Sequence, residues 1–146
     1  MSRCVLVTGA AGFIGSRLAY SLIAEGYDVV VADDLSIGKR GNVPADASFV
    51  QLDLSREDDV ARIPERPYVG VLHLAGQSSG KTSFDDPLRD FDANARATLL
   101  LARWSLEHGV PALIHASSMG VYGDCGAQPI SEEMPTVPVS YYGAST

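Results

Sequence analysis

Residues 3–15 read Arg-Cys-Val-Leu-Val-Thr-Gly-Ala-Ala-Gly-Phe-Ile-Gly, a short apolar run that passes into three glycines spaced by three. Val5, Leu6 and Val7 predict a strand ending at Thr8, while Ile14, Leu18 and Leu22 recur on one stripe and predict a following helix. Gly9, Gly12 and Gly15 therefore fall at a strand-to-helix turn of the kind that holds a dinucleotide's pyrophosphate. Gly9 permits the tight turn. Gly12, lacking Cβ, lets backbone N–H groups approach the pyrophosphate at the positive end of the helix, and Gly15 lets the helix lie close on the strand. A second valine-rich run, residues 27–32, ends in Asp33, where an acid can accept hydrogen bonds from the adenosine ribose. The same carboxylate would repel the 2′-phosphate of NADP, and residues 9–15 hold no Lys or Arg to offset it. NAD is the expected cofactor; Lys39 and Arg40 are the residues through which NADP would be admitted.

Beyond this unit the apolar pattern keeps alternating between strand and helix. Strands are expected at 3–8, 28–33, 48–53, 69–75 and 111–117, with helices at 12–25, 56–63 and 87–108. The strands are continuous apolar runs, as in a parallel sheet covered by helices on both faces. The long helix has marked ends, with Asp86 as N-cap, Pro87 at the first position and Gly109 after the last turn. Its Phe91, Ala95, Thr98, Leu99, Ala102 and Leu106 form one stripe. Leu100, Leu101 and Trp104 lie off that stripe and predict a second apolar face, packed against another part of the chain or against a partner subunit; the subunit reading, which is the one carried forward, leaves them exposed in this chain. Residues 126–140, with Pro129, Pro135 and Pro138, predict a long loop.

With 146 residues, 46% of them apolar, the chain can bury one core and is too short for two full domains. A net charge of −7 argues against nucleic acid or an anionic membrane as partner. Cys4 and Cys125 have neither metal-ligand spacing nor a disulfide-rich context, so reduced thiols, a cytoplasmic location and no bound metal are expected. The apolar run after Arg3 is too short for a secretory signal, and no stretch approaches the ~20 residues of a membrane span.

In an open parallel sheet, ligands bind beyond the carboxyl ends of the strands. Those ends carry Asp33, Asp53, the turn from His73 to Gln77, and Ser117 with Ser118. Asp53 and Leu54 can flank an adenine, and Ala75 and Gly76 are small enough for a cofactor to cross the backbone. His73 is expected to be structural, as are His108 and His115 unless they lie on the surface. Asn94, unfavourable inside a helix, is expected to hydrogen-bond nearby backbone.

Thr8 to Gly15, Asp33 to Gly38, Asp53-Leu54, His73 to Gly76, Asn94, Ser117 to Gly123 and Ser140 to Ser145 resemble, in order, the motifs of the extended short-chain dehydrogenase/reductase family. The resemblance is to its NAD-dependent nucleotide-sugar epimerase/dehydratase branch and covers the whole chain. It implies an α/β fold, a Rossmann-type doubly wound parallel sheet that is incomplete at its C-terminal end. Residues 1–146 would be the N-terminal part of the NAD-binding domain, with the substrate domain absent from this chain. By the same resemblance Phe13 and Ile14 meet the pyrophosphate through their backbone, and Asp33, Asp34, Leu35, Ser36 and Gly38 clamp the adenosine. Asp53 and Leu54 border the adenine, while Leu74, Ala75, Gly76 and Gln77 form the nicotinamide-side wall. Asn94 braces the interior near the cofactor, Ser117 lies beside it, and Ser118 and Tyr142 match the catalytic serine and tyrosine.

The chemistry implied is removal of a sugar hydroxyl proton by Tyr142 with hydride transfer to NAD, Ser118 holding the oxygen. Members of the branch that eliminate water place acids directly after the serine, whereas this chain has Met119 and Gly120. That moves the expectation to an epimerase acting at a sugar carbon, C4 for the UDP-glucose 4-epimerase group it most resembles. A UDP-sugar substrate and a homodimer built on the long helix follow from the same resemblance. A nucleotide-sugar reductase or dehydratase, and a non-catalytic dinucleotide-binding module, remain as alternatives. The family's Tyr-x-x-x-Lys is broken, because Thr146 stands four residues after Tyr142. A phenol of pKa ~10 without a neighbouring cation is only about 0.1% ionised at pH 7, and the substrate domain is absent as well, so the 146-residue chain alone is expected to be inactive.

Overall fold

Strand β1 (Cys4–Thr8) turns through the glycines into α1 (Phe13–Ala24), which returns the chain to β2 (Asp28–Asp33), parallel to β1. The computed structural model describes residues 3–146. After β2 come β3 (Ser48–Gln51), α2 (Glu57–Val60), β4 (Tyr68–His73), α3 (Gly80–Asp85) and α4 (Pro87–Phe91). A π-helical turn, Asp92–Arg96, joins α4 to α5 (Ala97–Glu107), and β5 (Leu113–His115) and α6 (Tyr141–Ser145) follow. All strand pairs are parallel, and the sheet order is β3-β2-β1-β4-β5. The chain builds outward from β1 to one side, then crosses to the other for β4 and β5. The crevice between β1 and β4 is therefore the topological switch point.

Each face has its own core, as a doubly wound sheet requires. Side chains alternate along β1, so Cys4 and Leu6 pack with Leu101 and Trp104, while Val5 and Val7 pack with Ala19, Val29 and Val31 beneath α1. The expected long helix is a single run through α4, the π turn and α5. The Asp86 carboxylate accepts from Arg89 N at 3.1 Å, Pro87 opens the helix, and Gly109 takes φ +64 beyond its end.

The faces of this helix are the reverse of the expectation. Trp104 is 4% exposed and Leu101 fully buried, whereas Leu99 is 68% and Leu106 81% exposed. Two apolar stripes satisfy the helical period, and burial follows the one that finds partners. Trp104 meets Tyr68 edge-on at 5.7 Å and stacks on His108 at 4.5 Å, filling the space under β1 and β4. The outward stripe is Leu88, Phe91, Leu99 and Leu106.

Other differences are local. Helix α3 was not expected from its sequence; Ser79 caps it by accepting from Thr82 N at 3.2 Å, and Phe84 packs edge-on against Tyr141. β4 ends at His73, because Leu74 and Ala75 both donate their N–H to Thr8 Oγ1 at 3.2 Å. β5 is only three residues long, after Pro111, which offers no N–H to a ladder. Residues 126–140 form no helix or strand, as expected.

Candidate functional site

The carboxyl ends of β1, β2, β4 and β5 open into a cavity of about 740 Å³. Its floor is the glycine turn: Gly9, Gly12, Phe13, Ile14 and Gly15 all line it. Gly9 has φ +69, and a Cβ there would lie 2.6 Å from Ala75 N; one on Gly15 would lie 2.4 Å from Gly9 O. At Gly12 the neighbour is Gly9 O at 3.2 Å, so its missing side chain leaves room on the cavity side.

Toward β2, the Asp33 carboxylate braces the turn as well as lining the cavity. Its Oδ2 accepts from Ala11 N and its Oδ1 from Leu35 N, each at 2.9 Å, leaving a further lone pair on each oxygen. Asp34 Oδ1 accepts from Ser36 N and Ser36 Oγ, which turns the chain back over the pocket. Gly38 is needed for close approach, since a Cβ there would lie 2.7 Å from Ala11 Cβ. Asp33, Asp34, Ser36 and Gly38 line the cavity. Leu35, at φ +63, packs instead against the core beneath α1. Asp53 and Leu54 border the same end, with Asp53 Oδ1 accepting from Ser55 N and Ser55 Oγ.

The opposite wall, Leu74 to Gln77, hangs on a buried network. Thr8 Oγ1 accepts from Leu74 N and Ala75 N and donates to His73 Nδ1 at 2.7 Å. Thr98 Oγ1 donates to Asn94 O, so it accepts from His73 Nε2–H at 3.0 Å, and the imidazole is a fixed neutral tautomer. Burial, with His115 beside it, pushes the His73 pKa down to about 4. The expectation that His73 is structural accords with this.

Asn94 sits in the π turn, a distortion often found at functional sites. Its Oδ1 accepts from Gln77 N at 2.9 Å and would lie 2.7 Å from a Cβ on Gly76. Asn94 thus reaches across to the wall rather than to nearby helix backbone. Asp90, 1% exposed, completes the brace: Oδ1 accepts from Gln77 Nε2 at 2.7 Å and Asn94 Nδ2 at 3.3 Å, and Oδ2 from Ser145 Oγ at 2.6 Å. Sequence reasoning missed Asp90, although an acid one helical turn before an in-helix Asn was the available signal.

The far corner holds Ser117 and Tyr142, both lining the cavity. α6 starts where Ser140 Oγ accepts from Gly143 N at 3.0 Å. Ser118 does not line the cavity; its Oγ accepts from Gly120 N at 3.1 Å and caps the short helical turn Met119–Tyr122. A Cβ on Gly120 would lie 3.5 Å from Ser118 Oγ and 3.6 Å from Tyr142 Cδ1, so the two side chains flank this glycine. His115 and Thr146 line the same corner.

A glycine-floored cavity at the switch point of a parallel sheet, with carboxylates at one end and Ser and Tyr at the other, defines a dinucleotide-binding α/β domain. The chain belongs to the NAD dependent epimerase/dehydratase family, whose pattern it matches over residues 5–146. It is 43% identical over 145 residues to the UDP-glucose 4-epimerase of Mycolicibacterium smegmatis, an alignment covering 95% of this chain and 46% of that one. The UDP-glucose 4-epimerase of Corynebacterium glutamicum is 37% identical over 143 residues, covering 97% and 43%. Among solved structures, the UDP-glucose 4-epimerase of Thermus thermophilus in complex with NAD matches with a TM-score of 0.92 at 41% identity, covering 97% of this chain and 47% of that one. The chain spans a little under half the length of these relatives. NAD is the family's cofactor. The residues here fit it: the turn leaves room at Gly12, and the Asp33 carboxylate keeps lone pairs free. No helix is long and apolar enough among the described residues to cross a membrane.

Proposed function

We propose that this chain is the NAD-binding, N-terminal portion of a cytoplasmic nucleotide-sugar epimerase that inverts a sugar carbon, C4 of a UDP-sugar. The observation that supports it most is the placement of Tyr142 and Ser117 in the same cavity as the glycine turn, with Ser118 and Tyr142 on either side of Gly120. NAD, when bound, supplies hydride acceptance and return at the sugar carbon. Gly9, Gly12, Phe13, Ile14 and Gly15 hold its pyrophosphate, and Asp33 to Gly38 with Asp53 and Leu54 its adenosine half. Leu74 to Gln77 and Asn94 shape the nicotinamide side. Tyr142, as the phenolate, takes the proton of the sugar hydroxyl and becomes the phenol. Ser118 Oγ accepts from Gly120 N, which leaves its own proton to hold the sugar oxygen. Met119 and Gly120 carry no exchangeable side-chain proton, so nothing after the serine serves an elimination. The outward stripe of α4 and α5 is the homodimer surface. Thr146 in place of lysine favours the second reading, a non-catalytic dinucleotide-binding module.

Two measurements test this. NAD should bind this chain more tightly than NADP, and Asp33→Ser should narrow the difference; equal dissociation constants in the unmutated chain would overturn the cofactor assignment. A protein carrying these residues with the remainder of its relatives' length should interconvert UDP-glucose and UDP-galactose and lose that turnover with Tyr142→Phe. Tight NAD binding with no turnover of any UDP-sugar would favour the module.

A further inference from the structure

Between Gly9 and Gly12, the carbonyl of Ala11 is held by two donors from outside the glycine turn. Asn42 Nδ2 donates to Ala11 O at 2.7 Å and Lys39 N at 3.1 Å, which occupies both lone pairs of that oxygen. On its other side, Ala11 N donates to Asp33 Oδ2 at 2.9 Å. Both backbone groups of Ala11 are therefore fixed by the segment 33–42, while Ala11 itself is fully buried and does not line the cavity.

What this fixes is the direction of the N–H groups that follow. Gly12 is the N-cap of α1 and has no side chain to bond the first turn, so the N–H groups of Phe13 and Ile14 have no partner within the helix and face a cavity that both residues line. A turn built on glycines is loose in itself, and a ligand that must first order it binds more weakly. The segment after Gly38 is not loose. Val43 is buried, the Arg40 guanidinium lies 4.5 Å over the Phe49 ring, and the short helical turn Arg40–Asn42 is closed by Asn42 N on Lys39 O at 2.8 Å and Val43 N on Arg40 O at 3.2 Å. The Asn42 side chain passes that rigidity to the glycine turn.

We infer that Asn42 is a positioning residue for the cofactor's pyrophosphate, holding the glycine turn through Ala11 O in its anion-binding shape before the ligand arrives; this rests on the NAD-binding reading above. Asn42 does not line the cavity, so its effect on a ligand passes through Ala11. The adenosine half of the cofactor meets Asp33, Asp53 and Leu54 and a segment anchored by Val43 and Phe49, none of which hangs on the Asn42 amide. Loss of that amide therefore falls on the phosphates and spares the nucleoside.

Titration of the chain with NAD, ADP and adenosine, followed by NMR, tests this, because adenosine lacks the pyrophosphate. Asn42→Asp keeps the shape of the side chain and replaces the donor by an acceptor facing Ala11 O; Asn42→Ala removes the amide altogether. Each should weaken NAD and ADP roughly 10-fold, about one hydrogen bond's worth, and leave adenosine within about two-fold. Asn42→Gln, which keeps an amide donor on a solvent-exposed side chain, should recover most of the loss. An equal loss for all three ligands would assign Asn42 a merely structural role and overturn the inference, as would unchanged NAD and ADP affinity in Asn42→Asp. If the unmutated chain bound neither NAD nor ADP, the cofactor reading itself would fall, and the role of Asn42 with it.

Discussion

Ser145 Oγ donates a 2.6 Å hydrogen bond to Asp90 Oδ2, tying the helical turn that carries Tyr142 to the helix that braces the cofactor wall. Through Asp90 Oδ1 the same carboxylate holds Gln77 and Asn94, so one buried acid links the wall, the π turn and α6. Asp90→Ala should destabilise the fold by about 2–3 kcal/mol, because three donors lose an acceptor in a buried place. Urea denaturation measures this. A loss below ~0.5 kcal/mol would show that the network does not hold these elements together.

The three turn glycines should separate by function. Gly15→Ala and Gly9→Ala force a Cβ to 2.4 Å and 2.6 Å from backbone atoms, and should each destabilise by roughly 2 kcal/mol or more. Gly12→Ala meets Gly9 O at 3.2 Å, so stability should change by less than about 1 kcal/mol while NAD affinity falls. Thermal melts beside NAD titrations read the two effects independently.

Replacing Leu99 or Leu106 by Glu should leave the fold intact and reduce self-association, since both lie on the outward stripe. Trp104→Glu should unfold the chain by placing a charge against Tyr68 and the β1 core. Sedimentation and circular dichroism of the three variants check this; a Leu99→Glu protein that associates like its parent would remove this face as the dimer surface.

Acid should destabilise the fold through His73. Its pKa is lowered to about 4 in the folded chain, so the unfolded chain binds the extra proton as pH falls from ~6.5. The stability from keeping His73 neutral is therefore complete above pH ~6.5, falls through the window down to about 4, and amounts to roughly 2 kcal/mol lost between pH 7 and pH 5. His73→Gln should flatten that part of the pH dependence in urea titrations, and an unchanged slope would contradict the assignment to His73.

The glycine spacing, the continuous valine runs and the caps Asp86 and Gly109 are local: each acts through backbone conformation or hydrogen bonding within a few residues. They were enough to read the parallel α/β sheet, the order of its elements and one end of the cavity. Asp33, Asp53 and the Leu74 to Gln77 wall were legible for the same reason, as strand ends in an open sheet face the ligand crevice.

Which apolar stripe of the long helix turns inward was not legible, because both satisfy the same period and only contact with Tyr68 and β1 separates them. The π turn at Asn94 and the Asp90 brace were hidden too. Their meaning depends on groups 13 to 55 residues away along the chain, as with Gln77 and Ser145 around Asp90. Periodicity and motif determined that this sequence makes a dinucleotide-binding sheet. Burial and long-range hydrogen bonding, which exist only once the chain has closed on itself, decided which side chains brace the cavity and which apolar stripe faces outward.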